Sequence, residues 1–218
     1  MTAAPEAPAR TYSLAEWDAL EQRTGEKYEW HGGELMNWHD MAGASIPHNQ
    51  IVSNLDFEVK SHFLTKTPPD CETYSSDLVI FIEAYDRYRY PDLSVICGNL
   101  EKSARMNRAA VNPTVLFEVT SPESDLRDRT DKAAEYRTLA SLRYYVIVSQ
   151  FAHEIEVHTL SDDPDRYSAQ VFRGLEASAK LPELDLELSL AKIYRAVTLT
   201  PRPPAKDDEP RPPLIQAQ

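Results

Sequence analysis

The chain has 218 residues, of which 35 are Asp or Glu and 23 Lys or Arg, giving a net charge of −12, and 42% are hydrophobic. That length favours one core-bearing domain with extensions, and no apolar run approaches the ~20 residues a bilayer-spanning helix needs. Glu6 and Arg10 cancel at one end, as do Arg202, Lys206, Arg211 and Asp207, Asp208, Glu209 at the other, so the acid excess lies on residues 11–200. This excludes phosphate-backbone binding through diffuse basic charge; nucleic-acid contact would need a local basic patch or a bound metal.

The N-terminus lacks the basic and apolar regions of a secretory signal. Cys71 and Cys97 offer no zinc spacing, and Cys97 closes an apolar run as a buried small hydrophobe. The expectation is a reduced, cytoplasmic protein with no membrane segment.

In chain order, residues 1–10 read as a flexible lead. Ser13 and Glu16 form a capping-box pair before Leu14, Trp17 and Leu20 at helical spacing, with Gly25 as the stop. Gly32-Gly33 between two short strand-like runs signals a hairpin. After a loop at 41–47, His48 opens a helix to about Leu64 with Ile51, Leu55, Val59 and Phe63 on one face, ended by Pro68-Pro69. Residues 78–82 form a buried strand, 86–89 a polar connection, and 90–97 a second strand, expected to pair antiparallel with the first. Residues 100–111, with Lys102, Arg105 and Arg108, read as a mobile basic loop.

A strand at 115–121 follows Pro113, then a helix over 128–139 and strands at 142–148, 152–160 and 167–172. Residues 182–188 alternate as an edge strand or extended segment, and Ser189 is a candidate cap for a short helix over 190–196. From Pro201 onward, proline and charge dominate as in a disordered tail. The order predicts an α/β (α+β) domain over residues 11–200, a mixed central β-sheet flanked by helices, between the lead and the tail.

Two strands each carry an acid that such runs normally exclude. In the second, Val115, Phe117 and Val119 share one face, and Leu116, Glu118 and Thr120 the other. Asp92 sits on the neighbouring strand, and two buried carboxylates repel unless a cation joins them. Magnesium takes one or two carboxylates and keeps several waters. Asp92, Glu118 and the Val119 carbonyl supply such a set, and Lys132 on the following helix can orient an attacking water. The plainer alternative is that Asp92 follows Pro91 at a strand entrance, Glu118 pairs with a basic residue, and Lys132 pairs with Asp128 at i−4 on an exposed helix face.

The order and spacing of these pieces resemble the PD-(D/E)XK nuclease superfamily, and within it the bacterial restriction-endonuclease-like group called the Uma-two type. The resemblance spans roughly residues 12–160. It runs through Tyr28-Glu29, Gly33-Glu34-Leu35, His48, Ser76-Asp77-Leu78 and Arg89-Tyr90-Pro91-Asp92-Leu93-Ser94-Val95. It continues through Phe117-Glu118-Val119-Thr120-Ser121-Pro122, Asp128, Lys132, Tyr136 and residues 144–148. It implies a restriction-endonuclease-like fold, a Mg²⁺- or Mn²⁺-dependent endonuclease acting on DNA, and a homodimer. Asp92, Glu118 and Val119 become metal ligands, with Asp92, Glu118 and Lys132 catalytic.

Two departures stand out. Thr120 occupies the place where the superfamily has lysine, a role the Uma-two type is thought to fill from the next helix, here Lys132. Ser149-Gln150 stands where the family often has an acid. Glu29 is either a further metal-site acid or an exposed strand residue. His48 either contacts substrate or shuttles protons, or else caps and packs its helix, and Asp77 reads as structural. The rival functions are a catalytically inactive module of the same fold binding DNA or protein, and a regulatory protein using its acidic face and Pro-rich tail.

Overall fold

Ser13 starts the first helix as expected. Its hydroxyl accepts from the Glu16 amide at 3.2 Å while the Glu16 carboxylate accepts from the Ser13 amide at 2.9 Å, closing a capping box on α1 (Leu14–Thr24). Gly25 ends the helix in the left-handed region, φ 71°. β1 (Tyr28–His31) and β2 (Glu34–Asn37) then form the hairpin about Gly32 and Gly33, both at positive φ. α2 (Ile46–Leu64) begins two residues before His48, with the Ser45 hydroxyl accepting from the His48 amide. This computed structural model describes residues 10–37, 45–65, 70–121, 124–161, 163, 166–199 and 201. Nearly all of the lead, the Pro68-Pro69 stop, much of the loop before α2 and the tail past 201 lie outside the described residues.

Two main sheets follow. β3 (Cys71–Ser75), β6 (Leu93–Cys97), β8 (Val115–Val119), β9 (Tyr144–Val148), β10 (Glu154–Leu160) and β11 (Tyr167–Arg173) form one, ordered β11-β10-β9-β8-β6-β3. Its pairs are antiparallel except β8 with β9, so it is mixed. β4 (Val79–Ile82), β5 (Arg87–Arg89) and β7 (Ala109–Ala110) join the hairpin in a second sheet, ordered β2-β1-β5-β4-β7. A third pair is β12 (Ser178–Leu181) with β13 (Leu186–Ser189).

The alternation in β8 decides the layering. Val115, Phe117 and Val119 pack in a core with Ile51, Leu55 and Val59 of α2 and with β12, β13 and α4 (Leu190–Ile193). Leu116 faces the other way, into a cluster with Ala133 and Tyr136 of α3 (residues 125–136). A third cluster of Trp17, Trp30, Phe81 and Tyr88 lies between α1 and the second sheet. The result is a mixed α/β fold with sheets flanked by helices.

The structure corrects several expectations. The strand at 79–82 does not pair with the strand at 93–97: residues 87–89 form β5, which pairs with β4 (Ile80 opposite Arg89), and the chain then crosses to the other sheet. The polar run becomes a strand because buried Arg89 finds acids to receive its guanidinium. The basic stretch at 100–111 is tied down: Arg105 pairs with Asp86, Arg108 pairs with Asp18 and Glu21, and β7 adds parallel to β4.

β12 has no counterpart in the expected strands, and residues 182–184 form a 3-10 turn before β13. Cys71 and Cys97 are not separate thiols. The β3–β6 register sets them directly opposite, and a disulfide joins them. No helix among the described residues is long and apolar enough to cross a membrane.

Candidate active site

The register of β6 on β8 sets Leu93 opposite Phe117, so Asp92, one residue before β6, stands level with Glu118. Asp92 is buried, and its Oδ2 accepts the Val119 backbone amide at 2.7 Å. His48, in the first turn of α2, places Nε2 3.3 Å from the same oxygen. Burial alone would push the His48 imidazole down, but the Asp92 carboxylate outweighs it and holds the pKa above its ordinary value.

Glu118 projects toward α3 and is 3% exposed. Tyr136 donates its hydroxyl to Oε1 at 2.8 Å, and the Lys132 ammonium lies 3.0 Å from Oε2. The same ammonium is 3.0 Å from Asp128 Oδ1, while Ser124 Oγ donates to Asp128 Oδ2 at 2.6 Å. Asp128 is 1% exposed and Lys132 6%, so this is no solvated helix pair. The ammonium points into the site and is shared between two carboxylates.

The helix geometry explains why both residues arrive there. Asp128–Lys132 is a π-helical turn between α-helical residues 125–127 and 133–136. In a regular α-helix each i→i+4 step drifts by ~40°, so positions 128, 132 and 136 would fan out. A wider π turn offsets that drift for the first step, and such turns concentrate at functional positions. Tyr145 of β9 pins the wide turn by donating its hydroxyl to the Asp128 carbonyl at 2.9 Å.

Charge at the site is unbalanced. Burial raises the Glu118 carboxyl, Lys132 opposes this, and the nearby Asp128, Asp92 and Glu29 reinforce it, leaving the pKa at about 8. Asp128 is raised too, burial outweighing the attraction of Lys132. Lys132 itself, which burial would lower, is raised by Asp128 and Glu118 and stays charged. Two buried carboxylates, Glu118 and Asp128, thus share one ammonium, with Asp92 level with Glu118 and beside His48. Among the described residues no three His, Cys, Asp or Glu side chains converge as a preformed metal cluster. The donor set nevertheless fits a hard divalent cation, because Asp92 and Glu118 stand level on adjacent chain segments and a cation there would relieve the repulsion that raises Glu118.

Behind this site lies a second buried network. Arg89 donates to Glu29 at 2.5 Å and to Glu135 at 2.5 and 2.9 Å, all three residues being almost fully buried, and Arg87 also pairs with Glu135. Burial acts to raise Glu29, but Arg89 overrides it and holds the carboxyl at about 2. Glu29 is therefore not an exposed strand residue; it is spent on Arg89, near enough to add its field to Lys132 and Glu118. Asp77 lies away from the centre, exposed and paired with Lys27 at 2.6 Å.

The family profile described as Uma2, "Putative restriction endonuclease", matches residues 14–192. The chain belongs to this family. Two uncharacterized proteins of Synechocystis sp. (strain ATCC 27184 / PCC 6803 / Kazusa) are each 30% identical to it. One aligns over 152 residues, 69% of this chain and 81% of that protein; the other over 195, 88% and 96%. A crystal structure described as a putative nuclease belonging to DUF820, from Anabaena variabilis ATCC 29413, has the same fold. Its TM-score is 0.64 at 17% identity, covering 86% of this chain and 99% of that one.

Lys132 lies on the helix that packs over Glu118, not on the strand. Thr120, in the strand position, is fully buried, and its hydroxyl has no hydrogen-bond partner among the described residues. Gln150, where the family often has an acid, instead accepts from the Ser45 hydroxyl at 2.6 Å and so braces the start of the helix that carries His48. For Asp128 the sequence left two readings open, a resemblance position and an exposed ion-pair partner of Lys132; the structure keeps the pair and buries it. The available signal was the i, i+4, i+8 line of Asp128, Lys132 and Tyr136, polar residues on a helix that must pack over Glu118.

Proposed function

We propose that this protein is a divalent-metal-dependent endonuclease that hydrolyses phosphodiester bonds in DNA, and that it works as a homodimer. The observation that carries the reading is the buried Lys132 ammonium, 3.0 Å from Glu118, with Asp92 level with Glu118 on the adjacent strand. Family membership supports the reaction class.

Asp92, Glu118 and the Val119 carbonyl would hold Mg²⁺ or Mn²⁺. When bound, the cation supplies an acidified water and offsets charge on the phosphoryl oxygens. Lys132, kept protonated by its two carboxylate neighbours, donates toward the attacking water or the charge that develops on the phosphate. Asp128, anchored by Ser124, fixes where that ammonium sits, and Tyr136 fixes the Glu118 carboxylate. The Val119 amide orients Asp92, leaving its other oxygen for the metal. His48, beside Asp92, stands where it can pass a proton to or from the site.

The test is a calorimetric Mn²⁺ titration of the wild type, Asp92→Asn and Glu118→Gln. The reading expects binding in the wild type and its loss in both variants, each still folded by circular dichroism. Unchanged titration in both variants rules the site out.

A second reading, a catalytically silent module of the same fold, is favoured by Thr120 and by the pairing of Arg105 and Arg108 with acids, which removes them as phosphate contacts. It predicts no metal-dependent cleavage of any nucleic acid by a protein that folds normally.

A further inference from the structure

Three consecutive side chains leave the start of α3 in three directions. Asp128 turns to the sheet, where it shares the Lys132 ammonium with Glu118. Arg129 turns toward β10, where Glu154 and Glu156 receive it together with Asp125 of its own helix. Arg127, two residues before Arg129, leaves the helix roughly 200° round from it. In a sheet ordered β10-β9-β8-β6, the flank away from β10 is the one toward β6, whose entrance carries Asp92.

Arg127 differs from every other cation around the site in having no acid. Arg87 and Arg89 engage Glu135 and Glu29, Arg129 engages three carboxylates, and Lys132 is held between two. Arg127 is half-buried, and its Nη1 is shut off from solvent with no hydrogen-bond partner among the described residues. A sealed donor on a charged group is costly to leave unmatched, so such a group calls for an acceptor that arrives with a ligand. The guanidinium offers its donors in a fixed planar fork that matches two oxygens of one phosphate.

The chemistry next door says which anion that is. On a chain of net charge −12, a nucleic-acid backbone needs a local cation to approach the metal site. Lys132 is fixed on Glu118 and Asp128 and so serves the reacting group, which leaves Arg127 to serve a phosphate beside it. We propose that Arg127 grips the DNA backbone next to the scissile phosphodiester, through its guanidinium fork. The inference rests on the DNA-cleaving reading and adds to it a substrate contact that takes no part in holding the metal.

The test is binding of a fluorescent DNA duplex, followed by anisotropy at about 50–200 mM salt, with Ca²⁺ in place of Mg²⁺ because it takes the same oxygen ligands. Arg127→Ala should weaken binding about 10-fold or more. It should also lower the slope of log affinity against log salt by about 0.9, the share of one phosphate contact. Arg127→Lys should keep the slope and lose part of the affinity, because an ammonium retains the charge without the fork. Arg166→Ala, which removes an 84% exposed arginine beside the far edge strand β11, should match the wild type on both counts. Calorimetric Mn²⁺ binding by Arg127→Ala should be unchanged, and its melting temperature should equal or exceed that of the wild type, since no ion pair is lost. A merely structural arginine would lower the melting temperature and leave the salt slope alone. Should Arg127→Ala fail to fold, Arg127→Gln carries the same expectation.

Duplex binding is read without reference to cleavage. Equal affinity and slope in the wild type and the folded variants overturn the Arg127 contact alone, as does loss of Mn²⁺ binding in folded Arg127→Ala, which would make it part of the metal site. A wild type that binds no duplex overturns the DNA reading and this contact with it. A wild type that binds through Arg127 and never cuts overturns the cleavage chemistry alone.

Discussion

The Lys132 ammonium lies midway in a buried carboxylate pair, 3.0 Å from Glu118 on the central sheet and 3.0 Å from Asp128 one helical turn before it. Removing it strands two acids away from water. Lys132→Ala should lose about 3–5 kcal/mol, as breaking a buried ion pair does, along with any cleavage activity. Mn²⁺ at millimolar concentration should restore part of that stability, because a cation at Asp92 and Glu118 relieves the same repulsion. Urea denaturation with and without Mn²⁺ checks both points; a loss under 1 kcal/mol contradicts the charge arrangement.

The Glu118 carboxyl, raised to about 8 by burial and by its acidic neighbours, makes stability depend on pH in a defined direction. Between the ordinary glutamate value of ~4.3 and about 8, the folded chain holds a proton that the unfolded chain has lost. The stabilisation is complete at the acid end and declines as pH rises through that window. Glu118→Gln carries no such proton, so without metal its melting temperature should fall less between pH 5 and pH 8. At pH 8 it should match or exceed the wild type, by about 1 kcal/mol, as relief of a strained functional group commonly does. Parallel pH slopes for the two proteins would contradict this.

Glu29 has the opposite sign. Arg89 holds its carboxyl at about 2, so the folded chain is deprotonated where the unfolded chain is not. Its contribution is present above the ordinary glutamate value and is lost as pH falls toward 2. Arg89→Met should cost about 3–5 kcal/mol, since Glu29 and Glu135 then remain buried without their cation, and should soften acid denaturation. Chemical denaturation at pH 7 and pH 4 measures both effects.

The Cys71–Cys97 bridge spans 26 residues and fastens the edge strand β3 to β6, whose entrance carries Asp92. Chain-entropy arguments assign such a loop about 3.5 kcal/mol. Dithiothreitol, or a Cys71→Ser, Cys97→Ser double variant, should lower stability by about 2–4 kcal/mol. Thiol titration of the native and reduced chain establishes the starting state; no change on reduction would mean that strand pairing alone holds β3.

Much of this fold was legible in the chain itself. The capping box at Ser13 and Glu16, the Gly32-Gly33 hairpin and the two faces of β8 are local patterns, set by periods and dihedral preferences that residue types report directly. What escaped depends on long-range partners. Arg87–Arg89 looks like a polar connection until Glu29 and Glu135, 60 and 46 residues from Arg89, receive its guanidinium. Cys71 meets Cys97 only through strand register. Asp128 looks like a surface partner of Lys132 because the burial of their helix face is decided by the sheet beneath it, and the π turn that aims both residues has no residue signature of its own.

The most direct test of the central claim is nicking of supercoiled plasmid in Mg²⁺ or Mn²⁺ by wild type and Glu118→Gln purified side by side. The account predicts metal-dependent nicking by the wild type, abolished by chelation and absent from Glu118→Gln. Equal nicking by both proteins, or none by a folded, metal-loaded wild type, would contradict it.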